Sequence, residues 1–217
     1  MNKPKSPLPR RAMLLAGGAA LVAGGLAFLY PVRNRQFNSV DITGADYARD
    51  FSLPDTTGRL RSLKDFRGRV LAVFFGFTQC PDVCPTTLTE MGRVKQLLGS
   101  DGHKLQVIFI TVDTQRDTSQ VLEAYMRNFD PQHLALVPGE QQLAEVTKEF
   151  KIYYKKVEGK TPTTYSMDHS AVTYIFDPRG RARLYARYGL KPEELASDMR
   201  ILRNWAYVML PTDTRYP

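Results

Sequence analysis

The chain of 217 residues has only two cysteines, three histidines and one tryptophan. Two cysteines cannot build a disulfide-rich scaffold, nor can they supply a four-cysteine zinc module. Acidic residues are missing from the entire stretch before Asp41. Repeats and low-complexity tracts are absent beyond that stretch, so nothing suggests a repeat architecture. Charge-free apolar runs of membrane-spanning length are confined to one, at residues 12–30, which excludes a polytopic membrane protein. At 43% hydrophobic and 24% charged, the remainder is too apolar for a disordered chain. Its length suits one domain with a well-filled core.

The net charge of +8 invites a nucleic-acid reading, but its distribution argues against one. Lys3, Lys5, Arg10 and Arg11 stand in the first eleven residues, and residues 31–217 hold 26 basic against 22 acidic side chains. A domain that mildly basic has no strong phosphate-binding footprint. The basic flank instead precedes Ala12–Tyr30, 19 uncharged residues rich in Ala, Leu and Gly. A membrane-spanning helix needs roughly 20 apolar residues, and basic residues ahead of it keep the N-terminus cytoplasmic. A cleaved signal, including a twin-arginine signal using Arg10-Arg11, is the alternative. Phe28-Leu29-Tyr30-Pro31 is a poor cleavage site because it lacks small residues. The expected layout is a cytoplasmic flank at 1–11, an anchor at 12–30, a linker at 31–46, a folded domain at 47–210 and a tail at 211–217. Either alternative exports the domain, and the short flank favours the periplasmic side of a bacterial inner membrane.

Along the exported part, Phe51–Leu63 suggests a hairpin, with Pro54-Asp55 and Thr57-Gly58 between short apolar pieces. Val70–Phe77 and Leu105–Val112 are continuous apolar runs, the pattern of strands covered on both faces. Leu88, Met91, Val94 and Leu98 recur at helical spacing after Pro85, which suits a first turn. Asp117 with Gln120 resembles a capping box for a helix burying Val121, Leu122, Tyr125, Met126 and Phe129. A short helix at Gln141–Phe150 and a strand at Ile152–Val157 follow. Ala171–Phe176 and Arg183–Tyr188 make an antiparallel pair across Asp177-Pro178-Arg179-Gly180, and Pro192 opens the last helix. This order specifies an α/β fold of thioredoxin-like pattern with a mixed sheet, preceded by one N-terminal transmembrane helix.

Both cysteines fall in Phe77-Thr78-Gln79-Cys80-Pro81-Asp82-Val83-Cys84-Pro85, between the first buried strand and its helix. At i and i+4 they can face one point if the turn is helical. The helix N-terminus favours negative charge, so Cys84 in particular is expected to have a lowered pKa. Two thiolates aimed at one point suit a soft metal ion or a reversible disulfide. A structural disulfide would close a loop too small to stabilise much, and structural zinc needs four ligands. Cu(I) accepts two thiolates with one imidazole. Of the histidines, His103 and His133 read as solvated loop residues. His169, in a loop before the strand Ala171–Phe176, can face the cysteine turn, although spacing alone does not place it there. Met167 is expected to pack under that loop, and Asp113 with Arg116 to form a structural ion pair. Asp82 is equally well a turn residue or a docking group, and Tyr153, Tyr154, Lys155 and Lys156 an edge strand or a partner face.

Cys80-Pro81-Asp82-Val83-Cys84-Pro85, then Thr111-Val112-Asp113 with Arg116-Asp117-Thr118, then Asp168-His169-Ser170 resembles the Sco/SenC copper-chaperone family from about Tyr47 to about Tyr207. The resemblance implies a thioredoxin-like fold that binds copper, as Cu(I) or Cu(II), through Cys80, Cys84 and His169. It also implies a role in assembling the copper-A centre of cytochrome c oxidase, with subunit II as acceptor and a copper donor or thiol reductant as further partner. Two positions and one stretch depart from the pattern: Gln79 where the family often has His, Thr114 where it often has Pro, and Leu136-Val137-Pro138-Gly139. All three ligand types are present, so the departures bear on accessory contacts. Two rival functions use the same pair: a thiol–disulfide reductase with Cys80 and Cys84 redox-active, and a binding module with a structural disulfide.

Overall fold

The computed structural model describes residues 36–161 and 164–208. The basic flank, the apolar segment at 12–30 and the C-terminal tail lie outside them. No helix among the described residues is long and apolar enough to cross a membrane.

The two continuous apolar runs form the centre of the fold. β4 (Val70–Gly76) and β5 (Leu105–Thr111) are buried at every position and pair in parallel. Burial on both faces is what such runs require. β6 (Leu134–Leu136) extends the parallel set beyond β5, while β9 (Val172–Phe176) lies antiparallel on the other side of β4. β10 (Ala182–Arg187) and β1 (Val40–Asp41) complete a mixed sheet of order β1-β10-β9-β4-β5-β6. β2 (Leu53–Pro54) and β3 (Leu60–Arg61) form the expected short hairpin.

Alternation along β4 sorts the core into two layers. Val70, Ala72 and Phe74 face α1 (Val83–Leu97), α2 (Ser119–Arg127) and α4 (Pro192–Val208), meeting Leu88, Leu122 and Met199. Leu71, Val73 and Phe75 face the other way, towards Phe150, Tyr174 and the buried side of α3 (Glu140–Glu149). Chain order and sheet order together are the mixed α/β, thioredoxin-like arrangement expected. Outside the main sheet, β7 (Tyr154–Glu158) and β8 (Tyr165–His169) form an antiparallel hairpin of their own.

Several local expectations are corrected. The cap of α2 is Thr118, whose side chain accepts from the Val121 amide. Asp117 points inward and is bonded elsewhere, so it cannot serve that end. Val121 lies on the exposed side of α2. β1 and β6 have two and three residues, too short to leave a periodic signal. His133 is buried, with both ring nitrogens lacking a hydrogen-bond partner, while His103 is exposed as expected.

Burial holds the His133 pKa down to about 4, against the pull of Asp130. A histidine neutral in the fold but free to protonate when unfolded stabilises the protein fully above its unfolded pKa of 6.5. That contribution is lost as pH falls towards 4. Between pH 7.5 and pH 5 the parent should therefore lose about 2 kcal/mol more than His133→Leu, by 1.36 kcal/mol per pH unit below the unfolded pKa. Urea unfolding at the two pH values measures the difference.

Candidate metal centre

The cysteine loop leaves the carboxyl end of β4, the edge where open α/β sheets place their ligands. A buried carboxylate fixes its start. Asp117 accepts from the Thr78 amide at 3.0 Å, from the Thr78 hydroxyl, and from the Thr111 hydroxyl at 2.6 Å. The loop is thereby tied to the end of β5. Burial raises the Asp117 pKa, its hydrogen bonds to Thr111 and Thr78 acting against that rise. The Cys80 amide then donates to the Phe77 carbonyl at 3.2 Å, and Asp82 takes the N-cap position of α1.

Cys84 sits in the first turn of that helix and is 0% exposed, whereas Cys80 is half-buried. Both are free thiols. The Cys84 amide donates to the Cys80 sulfur at 3.4 Å. The electrostatic benefit of the helix N-terminus therefore goes to Cys80, not to Cys84 as the sequence suggested. Hydrogen bonding from the Cys84 thiol, with the Cys84 and Asp82 amides adding to it, holds the Cys80 pKa down at about 5, against burial. The same bond, burial and the Cys80 charge push the Cys84 thiol far up.

Gly76 makes this seat possible. A Cβ there would lie 2.6 Å from Cys84 Sγ and 2.9 Å from the Phe109 ring. The sulfur thus occupies the volume that any larger residue would fill.

His169 arrives from the separate hairpin. It ends strand β8 rather than lying in a loop, and Cα pairing sets it opposite Tyr154. Its Nε2 lies 3.7 Å from Cys84 Sγ, while Nδ1 lies 3.2 Å from the Ser170 carbonyl. A proton on Nδ1 donates to that carbonyl and leaves the Nε2 lone pair facing the sulfurs. The Phe77 ring meets the imidazole edge to face at 5.9 Å. Ligand atoms of Cys80, Cys84 and His169 all lie within 4.8 Å of one another, and no other such set of His, Cys, Asp and Glu converges among the described residues. Met167 packs in the core, as expected.

Around this set stand residues that carry no motif signal or only an accessory one. Gly76, Phe77, Thr78 and Tyr165 bear on the site only through packing and hydrogen bonds, which leave no spacing signal. Asp113 and Arg116 do form the expected ion pair. Arg116 also donates to the Gln79 side chain at 2.9 Å, so this departure from the family pattern takes part in the loop's contacts. Asp82 is exposed, accepting from Thr86 at 3.2 Å and from the Tyr188 hydroxyl at 3.5 Å.

The SCO1/SenC family model matches residues 40–204, which include the cysteine loop, the ion pair and His169. The chain belongs to the SCO1/SenC family. The SCO2-like protein RC0895 of Rickettsia conorii is 36% identical over 158 residues, covering 71% of this chain and 75% of the relative. Among solved structures, Bradyrhizobium japonicum ScoI with copper bound is 37% identical, with a TM-score of 0.64 over 70% of this chain and 97% of that one. Yeast Sco1 with copper bound is 27% identical, with a TM-score of 0.67 over 76% of this chain and 91% of that one. A Sco fold with a half-buried, acidic thiol above a buried, weakly acidic one is therefore the frame for the chemistry.

Two outcomes test this asymmetry. In the reduced protein, iodoacetamide should label Cys80 with a rate that rises through a midpoint near pH 5, while Cys84 stays unlabelled until the fold opens. Mass mapping of the labelled peptide separates the two. Gly76→Ala should cost about 1–3 kcal/mol of stability by overpacking against Cys84 and Phe109. Denaturant unfolding of the reduced protein reads that loss.

Proposed function

We propose that this chain is a copper metallochaperone in which Cys80, Cys84 and His169 hold the ion. Copper is its cargo and cytochrome c oxidase subunit II its acceptor, the delivery serving the copper-A centre. The observation that carries this reading is the convergence of two thiols and one imidazole nitrogen within 4.8 Å. Soft sulfur donors with one imidazole select Cu(I) over harder divalent ions. The copper-bound state of the Bradyrhizobium relative supports it, at 37% identity.

Each residue has a distinct task. Cys80, already biased to thiolate, offers the first sulfur from the half-buried side. Cys84 must lose its proton on loading, so uptake releases protons and tightens as pH rises. His169, with Nδ1 bonded to a carbonyl, presents Nε2. A three-ligand site leaves room for an acceptor's thiols to replace these donors one at a time. In the same proposal the apolar segment at 12–30 anchors the chain in the inner membrane and holds the domain on the periplasmic face, beside a membrane-bound acceptor.

A second reading, thiol–disulfide reductase, rests on the unequal cysteines. A Cys80 thiolate would attack an acceptor disulfide, releasing one acceptor thiolate and forming a mixed disulfide. Cys84, deprotonated, would then attack Cys80, closing the Cys80–Cys84 bond and releasing the second acceptor thiolate. Two electrons pass to the acceptor, and His169 has no part in the exchange.

Anaerobic Cu(I) titration of the reduced full-length chain against a chromophoric chelator separates the readings. One equivalent should bind to the parent and none to the oxidised pair. Cys80→Ser and Cys84→Ser should abolish binding at the parent's affinity, and His169→Ala should weaken it while leaving thiol exchange intact. Parent-like copper binding by the two serine variants would refute the chaperone reading.

A further inference from the structure

The hairpin that delivers His169 shares no strand pairing with the central sheet. Buried Met167 anchors its middle in the core, and the Ile152 amide bonds the Thr147 carbonyl near its start. Near His169 the Ser170 amide and hydroxyl bond only Tyr153, within the hairpin's own base. Beyond His169 the chain enters β9 at Val172, and the Ala171 carbonyl accepts from the Tyr188 amide at 3.2 Å, so that end is tied to the sheet; the Tyr165 end of β8 has to be held by side chains.

Arg116 makes that connection. One of its nitrogens, Nη1, donates to Gln79 Oε1 at 2.9 Å and to the Tyr165 carbonyl at 2.9 Å. Gln79 immediately precedes Cys80, and Tyr165 begins the strand that His169 ends. Nε donates to Asp113 Oδ2, whose other oxygen accepts from the Tyr165 hydroxyl at 2.8 Å. The guanidinium carbon lies 3.5 Å from the Tyr165 ring centroid and 5.9 Å from that of Phe77. Phe77 in turn packs edge to face on His169. Tyr165, Met167 and His169 alternate onto one face of β8, so fixing Tyr165 fixes the side of the strand that carries the imidazole.

We propose that Arg116 is a positioning residue for His169: with Asp113 and Tyr165 it forms a clasp that closes the β7–β8 hairpin over the cysteine loop. A structural ion pair needs only Asp113. The clasp needs the planar fork of arginine, because it bonds a carboxylate, a side-chain amide and a carbonyl while stacked on a ring. Lysine would keep the charge and lose that geometry. The inference rests on the reading of His169 as a copper ligand, and its effect belongs to the third donor rather than to the thiols.

The experiment uses the reduced full-length chain with Arg116→Gln and Arg116→Lys, each alone and combined with His169→Ala. Cu(I) affinity is read by chelator competition, and amide hydrogen exchange over residues 166–170 is read in the copper-free protein. With His169 present, both substitutions should weaken Cu(I) binding about 10–100-fold, as loss of a ligand's supporting partner does. In the His169→Ala background they should change nothing further. Exchange over residues 166–170 should quicken while β4 and β5 stay protected. An equal loss in both backgrounds, or unchanged exchange, overturns the proposal. If His169→Ala binds as tightly as the parent, the ligand reading itself has failed; quickened exchange then still identifies a hairpin clasp, and unchanged exchange removes it too. Tyr165→Phe keeps the ring and carbonyl but drops the hydroxyl bond to Asp113, so it should show the same pattern at smaller amplitude even if the arginine variants fold poorly.

Discussion

The hydrogen bond from the Cys84 amide to the Cys80 sulfur is the contact on which the rest of the site depends. It requires the chain to leave β4, turn, and enter a helix whose first amides aim back at the turn. It also requires the Cys84 side chain to lie inside, in the space left by Gly76. Once these conditions hold, two chemically identical side chains four residues apart become different groups. One sulfur receives a helix-end amide and reaches the surface; the other is enclosed among Leu88, Phe74 and Phe109 in the core layer beneath. Burial penalises a second negative charge so close to the first. The unequal acidity of the pair follows first from the hydrogen bond that the Cys84 thiol gives to Cys80, with the helix-end amides lowering Cys80 further and burial raising Cys84.

Holding such a turn in place needs a polar anchor at the sheet edge, and Asp117 supplies it. A buried carboxylate is costly unless its oxygens are satisfied. Here three donors from Thr78 and Thr111 satisfy it and join the cysteine loop to the next strand. β4 and β5 are parallel neighbours, so their following loops leave at the same edge and one side chain can bridge them. The fold thus sets the distance between the two motifs, and Asp117 locks it.

Much of this was legible in the chain. The apolar runs of β4 and β5 reveal buried strands because they lack the alternation of a half-exposed strand. Pro85 and the following helical spacing located α1, and the pair of cysteines marked the turn before it. Helix position alone points to Cys84 as the acidic thiol, because it says nothing about which sulfur faces inward. Asp117 matched a capping pattern with Gln120 but is directed to the opposite side, a choice made by tertiary hydrogen bonds. His133 looked solvated beside Asp130-Pro131 and is enclosed. The sequence distinguishes His169 from the other histidines but does not show its strand. β8 alternates as Tyr165, Met167 and His169, but two of its five residues are exposed and polar, which mimics a loop.

The site divides between the packed sheet and helix and a separate hairpin. Both sulfurs belong to the continuous packing of sheet and helix, where movement would open the core. The imidazole stands on a two-stranded hairpin outside the main sheet, held near its far end by side chains. On the copper-carrier reading, this asymmetry reconciles retention with release. The thiols keep a fixed spacing, so the ion always meets the same two donors. The third donor stands on a hairpin outside the main sheet, so an incoming acceptor ligand can take its place without disturbing that sheet. A carrier built with all three donors in the core would hold its cargo and have no low-cost way to surrender it.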